Sequence, residues 1–308
     1  MREVVTVQIG PKANEGSKVV WSSPVPSVFL KENKSPRIVS YTEKKKIELA
    51  GIKNFDGGNL PARTSKPPFP AIHLDTGPAG SSTDGYSAVT HDQIEETTRK
   101  AVEECNSMDS FFVMGELCDF WAGVSEKVAE WLCEEHPKKN RAVFGLGTAQ
   151  TLRGRTLARM NMFADHFIPF FVDSAVCCGD GLFWESIGLT LSAHQQTNTA
   201  SLFSVLRPLP RMNLVECFVS TKTGESFSIT AGKHGETLYG ETNITPKTHW
   251  KIEKERGKIN AAVIRKSGLE SISYRSSSSW SSYLETVLWA SDIEEEDRAE
   301  LDTLKDFY

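Results

Sequence analysis

The sequence has little that points to metal, redox or membrane chemistry. Its six cysteines include no CxxC pair, and its seven histidines lack the short spacings of metal ligands. No apolar run approaches the roughly 18 residues that a membrane-spanning helix needs, so no membrane insertion is expected. A net charge of −5 argues against a nucleic-acid partner. These absences favour a cytoplasmic globular protein with reduced, structural thiols and no bound metal.

The first half of the chain alternates between strand-like and helix-like patterns. The predicted strands are 4–9, 36–41, 71–74, 111–114, 142–146 and 167–172. The predicted helices are 17–22, 91–105, 116–135 and 152–163, with a turn at 10–16 and loops at 51–70 and 77–85. Pro169 predicts either an edge position or an irregularity for the last strand. This alternation is typical of an α/β fold with a doubly wound sheet.

Beyond residue 180 the pattern becomes β-rich. The predicted strands here are 212–219, 226–231, 237–243 and 261–264, with helices at 182–204 and 292–307. Because the pattern changes at this point, we predict a second, small unit there.

The stretch 111–123 is the centre of the functional question. It predicts a buried strand, a turn and a helix, which is where an α/β nucleotide-binding fold places its phosphate loop. The turn carries Glu116 and Asp119 in place of glycines, and like charge opposes a polyphosphate. The two carboxylates suit either a helix N-terminus or a metal. Lys12 is either a phosphate partner or a solvent-exposed side chain.

Several segments together resemble the tubulin superfamily. The opening 1–10 with Asn14, Gly16 and Trp21 resembles the tubulin first strand, first nucleotide loop and first helix, and 36–39 resembles the second strand. Residues 85–87, 99–105 and 111–112 are similar to the segment that leads into the phosphate loop of delta, epsilon and zeta tubulins. The end, 293–308, is similar to the last helix of delta tubulin. Misato-type relatives are the second choice.

The resemblance implies a domain plan and a set of nucleotide-loop positions. It implies a tubulin-like nucleotide-binding domain at 1–180, a reduced β-rich intermediate domain at 181–268 and a C-terminal helical segment at 269–308. The implied nucleotide-binding positions are Gly10, Lys12, Asn14, Ala79, Gly80, Ser81, Ser82, Gly115, Asp173 and Ser174.

The departures from the family are concentrated at those positions. The family signature GGGTGSG corresponds to residues 115–121, where only Gly115 is kept. In the first loop Pro11 removes a backbone donor. The family's guanine-reading asparagine falls on Ser174, and its magnesium-organising acid falls near Thr42, with Glu43 beside it. We therefore expect neither bound GTP with magnesium nor GTPase activity, and no catalytic residue is assigned.

The resemblance implies a role at the microtubule cytoskeleton, at centrioles or basal bodies, with tubulins or centriolar proteins as partners. One alternative is a working GTP-binding switch or slow GTPase with an altered phosphate loop. Another is a product that does not fold, because the middle of the chain is short for the family. A Misato-type relationship would point to mitochondrial distribution instead.

Overall fold

A computed structural model describes residues 3–22, 37–43, 70–75, 80–147 and 154–171. It also describes the strands of a second sheet between residues 216 and 275, and the helical residues Glu295, Arg298, Ala299 and Asp302. Those four residues fall within the helix predicted at 292–307. The features predicted at 51–69, 182–204 and 237–243 lie outside the described residues.

Six parallel strands form the first sheet, in the order β3-β2-β1-β4-β5-β6. They are β1 Glu3–Ile9, β2 Ile38–Glu43, β3 Ala71–Leu74, β4 Met108–Glu116, β5 Asn140–Gly147 and β6 His166–Phe171. The predicted α/β class is confirmed. Pro169 lies in β6, which is an edge strand of this sheet, as expected for a residue that cannot donate to a ladder.

In the described residues, five helices accompany these strands: α1 Pro11–Ser22, α2 Ser82–Ala88, α3 His91–Glu103, α4 Asp119–Glu135 and α5 Gly154–Phe163. The strand order reverses between β1 and β4. Right-handed crossovers therefore put α1, which leads to β2, and α4, which leads to β5, on opposite faces. Val5, Val7 and Ile9 of β1 share one buried cluster with residues of α3 and α4. Helix α1 contacts β1, β2 and β4.

Two predicted loops contain helix. The turn predicted at 10–16 is wrong, because α1 begins at Pro11. Proline suits a first helical position, where its missing N–H has no intrahelical partner to lose. The loop predicted at 77–85 contains the start of α2, whose capping box joins Ser81 and Asp84.

Helices α2 and α4 touch backbone to backbone through two glycines. A Cβ on Gly123 would lie 1.7 Å from the Ser82 carbonyl oxygen, and one on Gly85 would lie 1.8 Å from the Phe120 carbonyl oxygen. Only glycine permits this approach. The second contact lies within the first turn of α4, so α2 fixes the position of the segment that follows β4.

A buried ion pair joins the first residue of β1 to the residue directly before β2. The Arg37 guanidinium donates to Glu3 Oε1, and the Ser107 N–H donates to Glu3 Oε2 at 3.0 Å. Arg37 is 2% exposed and Glu3 is 7% exposed. The pair therefore ties β1, β2 and the start of β4 together within the protein interior.

Six antiparallel strands form the second sheet, in the order β10-β11-β12-β7-β8-β9. They are β7 Glu216–Thr221, β8 Ser226–Ser228, β9 His234–Gly235, β10 Lys251–Glu255, β11 Lys258–Lys266 and β12 Leu269–Arg275. The tubulin resemblance implies a helical segment from residue 269, but Leu269–Arg275 is extended and pairs with β11 and β7. Among the described helices, none combines the length and apolar character needed to cross a membrane.

Candidate functional site

The candidate site lies where the strand order reverses, at the carboxyl ends of β1 and β4. Ile9 pairs with Gly115 there. The strand that follows β1 in the chain, β2, lies on one side of this pair, and the strand that follows β4, β5, lies on the other side. Ligands of doubly wound sheets bind in the crevice at this point. Gly10, Lys12, Asn14 and Gly115, four of the positions implied by the tubulin resemblance, meet at this edge.

Gly10 sets the start of α1. Its φ of +96° lies in the left-handed region that favours glycine, and its N–H donates to the Tyr41 carbonyl at 3.0 Å. Pro11 has no N–H, and the Asn14 N–H donates to the Gly10 carbonyl. In ideal helix geometry, the N–H groups of Lys12 and Ala13 in this first turn therefore have no hydrogen-bond acceptor within the helix.

The side chain of Glu116 lies on this helix terminus. Its Oε2 accepts the Lys12 N–H at 3.2 Å, and the residue is 7% exposed. A Cβ on Gly10 would come within 2.6 Å of the same oxygen. The contact joins residues 104 positions apart. A carboxylate of the chain itself thus occupies the helix end at which an α/β fold receives an anion.

Electrostatics make this a costly place for negative charge. Burial raises the pKa of the Glu116 carboxyl, and the nearby carboxylates of Glu43 and Asp119 raise it further. The N–H and the ammonium group of Lys12 oppose that shift. The sequence predicts Glu116 and Asp119 at the start of one helix. Only Asp119 begins α4, whereas Glu116 ends β4 and contacts α1.

The side chain of Asn14 forms hydrogen bonds that hold the edge of the sheet together. Its Nδ2 donates to the carbonyls of Gly10 and Tyr41, each at 2.9 Å, and its Oδ1 accepts from Ser40 Oγ at 2.8 Å. Both hydrogens of the amide are used in these bonds. Asn14 therefore fastens α1 to β1 and β2, and its amide has no donor left for a ligand.

Three N–H groups of the turn after β4 and of the first turn of α4 are used within the protein. The Leu117 N–H donates to the Leu146 carbonyl at 2.6 Å, and the N–H groups of Trp121 and Ala122 donate to the Cys118 carbonyl. A phosphate loop needs such N–H groups pointing at the ligand. Gly115 is enclosed as well, because a Cβ there would lie 2.8 Å from Ser125 Oγ.

The segment 80–82 lies one turn along α4 from this edge. The N–H and the Oγ of Ser81 both donate to Asp84 Oδ2 at 2.8 Å, which completes the cap of α2. Ser82 is buried, and its carbonyl faces Gly123. Ala79, Asp173 and Ser174 lie outside the described residues, so their assignment stays a prediction.

The basic side chains of α1 and α5 differ in their surroundings. Lys12 is exposed. Two of the basic residues of the predicted helix 152–163 contact neighbouring helices: Arg155 lies 3.6 Å from Glu126, and the guanidinium of Arg159 lies 5.8 Å from the centre of the Tyr86 ring. Within the described part of the chain, no group of three or more His, Cys, Asp or Glu side chains is arranged to hold a metal.

The contact between Glu116 and α1 could not be predicted from the sequence. The two carboxylates at 116 and 119 were visible, but nothing in their local spacing indicates a helix that begins over a hundred positions earlier. The sequence did contain a signal for the start of α1. Gly10 favours a left-handed backbone, and Pro11 after it favours the first position of a helix.

Comparison with protein-family models gives no match, and comparison with curated proteins gives none either.

Replacing Gly10 by alanine tests how tightly this site is built. We expect Gly10→Ala to lower the free energy of unfolding by about 2 kcal/mol, because alanine is strained at the positive φ of residue 10 and its Cβ collides with Glu116. Urea denaturation measures the loss. In the double variant Gly10→Ala/Glu116→Gly the collision disappears while the backbone strain stays, so part of the loss should be recovered. Equal losses in the single and double variants would contradict the placement of Glu116.

Proposed function

We propose that this chain is a divergent tubulin-like protein of the delta, epsilon and zeta group. In this proposal it acts in microtubule-based or centriole and basal-body processes through protein–protein contacts. Its GTP site is degenerate, and it carries no GTPase activity. The single observation that carries the proposal is the Glu116 carboxylate on the first turn of α1, where a nucleotide phosphate would otherwise bind.

The α/β frame supports the first part of the proposal. A six-stranded parallel sheet, with its order reversed between β1 and β4, is compatible with the nucleotide-binding domain that the tubulin resemblance implies. Gly10, Asn14 and Gly115 take structural roles at the expected edge of that sheet. In this proposal the protein keeps the scaffold and uses its surface for contacts with partner proteins.

The residues at the edge do not fit GTP. The donors of Leu117, Trp121 and Ala122 are used within the protein, and so is the amide of Asn14. Each lost charge-assisted hydrogen bond forfeits about 1.5–3 kcal/mol. Two or three of them together remove on the order of 6 kcal/mol, or about four decades in affinity. A tight nucleotide site is not sustained by what remains, and we derive no hydrolysis step.

A GTP-binding switch is the second candidate. The observation in its favour is that α1 still presents first-turn N–H groups next to the exposed ammonium-bearing side chain of Lys12. Under this alternative a nucleotide would have to displace Glu116.

Calorimetric titration with GTP and magnesium separates the two candidates. We expect no binding heat from a protein that melts cooperatively, because the anion position is filled and flanked by carboxylates. Micromolar binding would overturn the degenerate site and favour the switch. A sample that shows no cooperative melt would instead support the unfolded product considered from the sequence.

The partner half of the proposal has its own readout. The same nucleotide-free protein should sediment with assembled microtubules in a dose-dependent manner. A Glu95→Ala variant, which changes an exposed residue of α3, serves as the matched handling control. Failure of both proteins to sediment would contradict direct microtubule association.

A further inference from the structure

The carboxylate of Glu116 is positioned as a ligand rather than as a surface charge. It is buried, it accepts an N–H from the first turn of a 12-residue helix, and it comes from a strand 104 positions away. The absence of a side chain at Gly10 leaves room for it, since a Cβ there would lie 2.8 Å from Glu116 Cβ and 2.6 Å from Oε2.

We propose that Glu116 is an internal ligand of the α1 N-terminus, an autoinhibitory contact that closes this helix end to phosphate and related small oxyanions. The inference rests on the proposed function, in which this edge holds no nucleotide. It adds that the closure comes from one side chain and is released when that side chain is removed.

The charges around the contact explain why a tethered carboxylate stays where a free anion does not. Lys12 on α1 attracts negative charge, whereas Glu43 on β2 and Asp119 on α4 repel it. Glu116 is held by the β4 backbone and loses little translational freedom on making the contact. A dissolved phosphate has no such tether, and in the wild-type protein it would have to displace a buried carboxylate and approach all three acidic side chains.

Removal of the side chain and removal of the charge have different expected outcomes. Glu116→Gly vacates the helix end and also removes one of the three carboxylates. Glu116→Gln removes the charge, but its amide still fills the space and its oxygen still accepts the Lys12 N–H. Glu95→Gln makes the same change in net charge at an exposed position of α3, away from the site.

The test is the affinity of the intact chain for inorganic phosphate, measured by phosphorus NMR at constant ionic strength and pH 7. We expect Glu116→Gly to bind phosphate at least about tenfold more tightly than the wild type, the change that 1.4 kcal/mol produces. Glu116→Gln and Glu95→Gln should bind like the wild type. If the glycine variant does not fold, Glu116→Ala carries the same comparison, because its side chain ends at Cβ.

Two results would overturn the inference. One is an unchanged affinity in the folded glycine or alanine variant. The other is an equal gain in Glu116→Gln, which would assign the effect to charge rather than to occupancy. Neither depends on the GTP titration of the wild type, so failure of this inference is distinguishable from failure of the proposed function.

Discussion

Gly123→Ala should destabilise the protein by about 3 kcal/mol and lower its melting temperature by roughly 6–12 °C. The new methyl group would lie 1.7 Å from the Ser82 carbonyl oxygen, which is backbone and belongs to another helix. No side-chain rotation relieves that collision, so α2 must move away from α4. The gain in helix propensity from glycine to alanine, about 1 kcal/mol, is too small to offset the lost packing.

Two further variants make this prediction specific. Gly85→Ala meets the Phe120 carbonyl at 1.8 Å and should cost a similar amount. Because both substitutions separate the same two helices, the double variant should lose less than the sum of the two single losses. Glu95→Ala on α3 is the control for a change to alanine on an exposed helix. A melting temperature for Gly123→Ala within 2 °C of the control would contradict the observed approach.

Arg37→Met should lower the free energy of unfolding by about 3–5 kcal/mol. The substitution leaves the Glu3 carboxylate buried and deprives it of its guanidinium, although the Ser107 N–H still donates to it. An uncompensated buried charge is among the largest single-residue penalties in a protein interior. Urea denaturation monitored by circular dichroism measures the change.

The paired variant shows whether charge is the cause. Glu3→Gln/Arg37→Met removes both charges while keeping an acceptor for the Ser107 N–H, so it should be clearly more stable than Arg37→Met alone. If the single and double variants unfold at the same urea concentration, packing of the arginine side chain rather than charge pairing accounts for the loss.

The parts of the fold that were predicted from sequence carry strong local patterns. Strands β1 and β3 and helix α3 lie within one or two residues of their predicted bounds. In these segments the apolar pattern agrees with the observed burial, and α3 also has a capping residue at its start. The capping box of α3, for example, joins Thr90 and Gln93 directly before the periodic run.

The missed elements depend on contacts that local sequence does not contain. Helix α2 has seven residues, mostly small or polar, and is placed by Gly85 against α4. Strand β10, Lys-Ile-Glu-Lys-Glu, is so polar that only its pairing with β11 reveals it. Strand β12 begins where the tubulin resemblance implies a helical segment, although its sequence Leu-Glu-Ser-Ile-Ser-Tyr alternates as strands do.

The topology of the sheet was predicted from the sequence, whereas the assignment of a ligand site to its edge stays a prediction. Alternation of strands and helices located the crevice, since the edge of a parallel sheet follows from its topology. The roles of its residues could not be read from sequence. The amide of Asn14 and the carboxylate of Glu116 acquire their partners from β2 and α1, and such pairings form only when distant segments are brought together.

The central position of β1 has a consequence for synthesis on the ribosome. This strand is made before β4, which is one of its two neighbours in the sheet, with Val5 paired to Phe111. At about 5–20 residues per second, roughly 5–20 s pass before that neighbour has been made. Throughout that time one edge of a fully buried strand lacks its native partner, and such edges readily pair with other chains. The nascent chain is therefore expected to need a chaperone until β4 emerges, and arrest of translation before residue 116 should leave an aggregation-prone product.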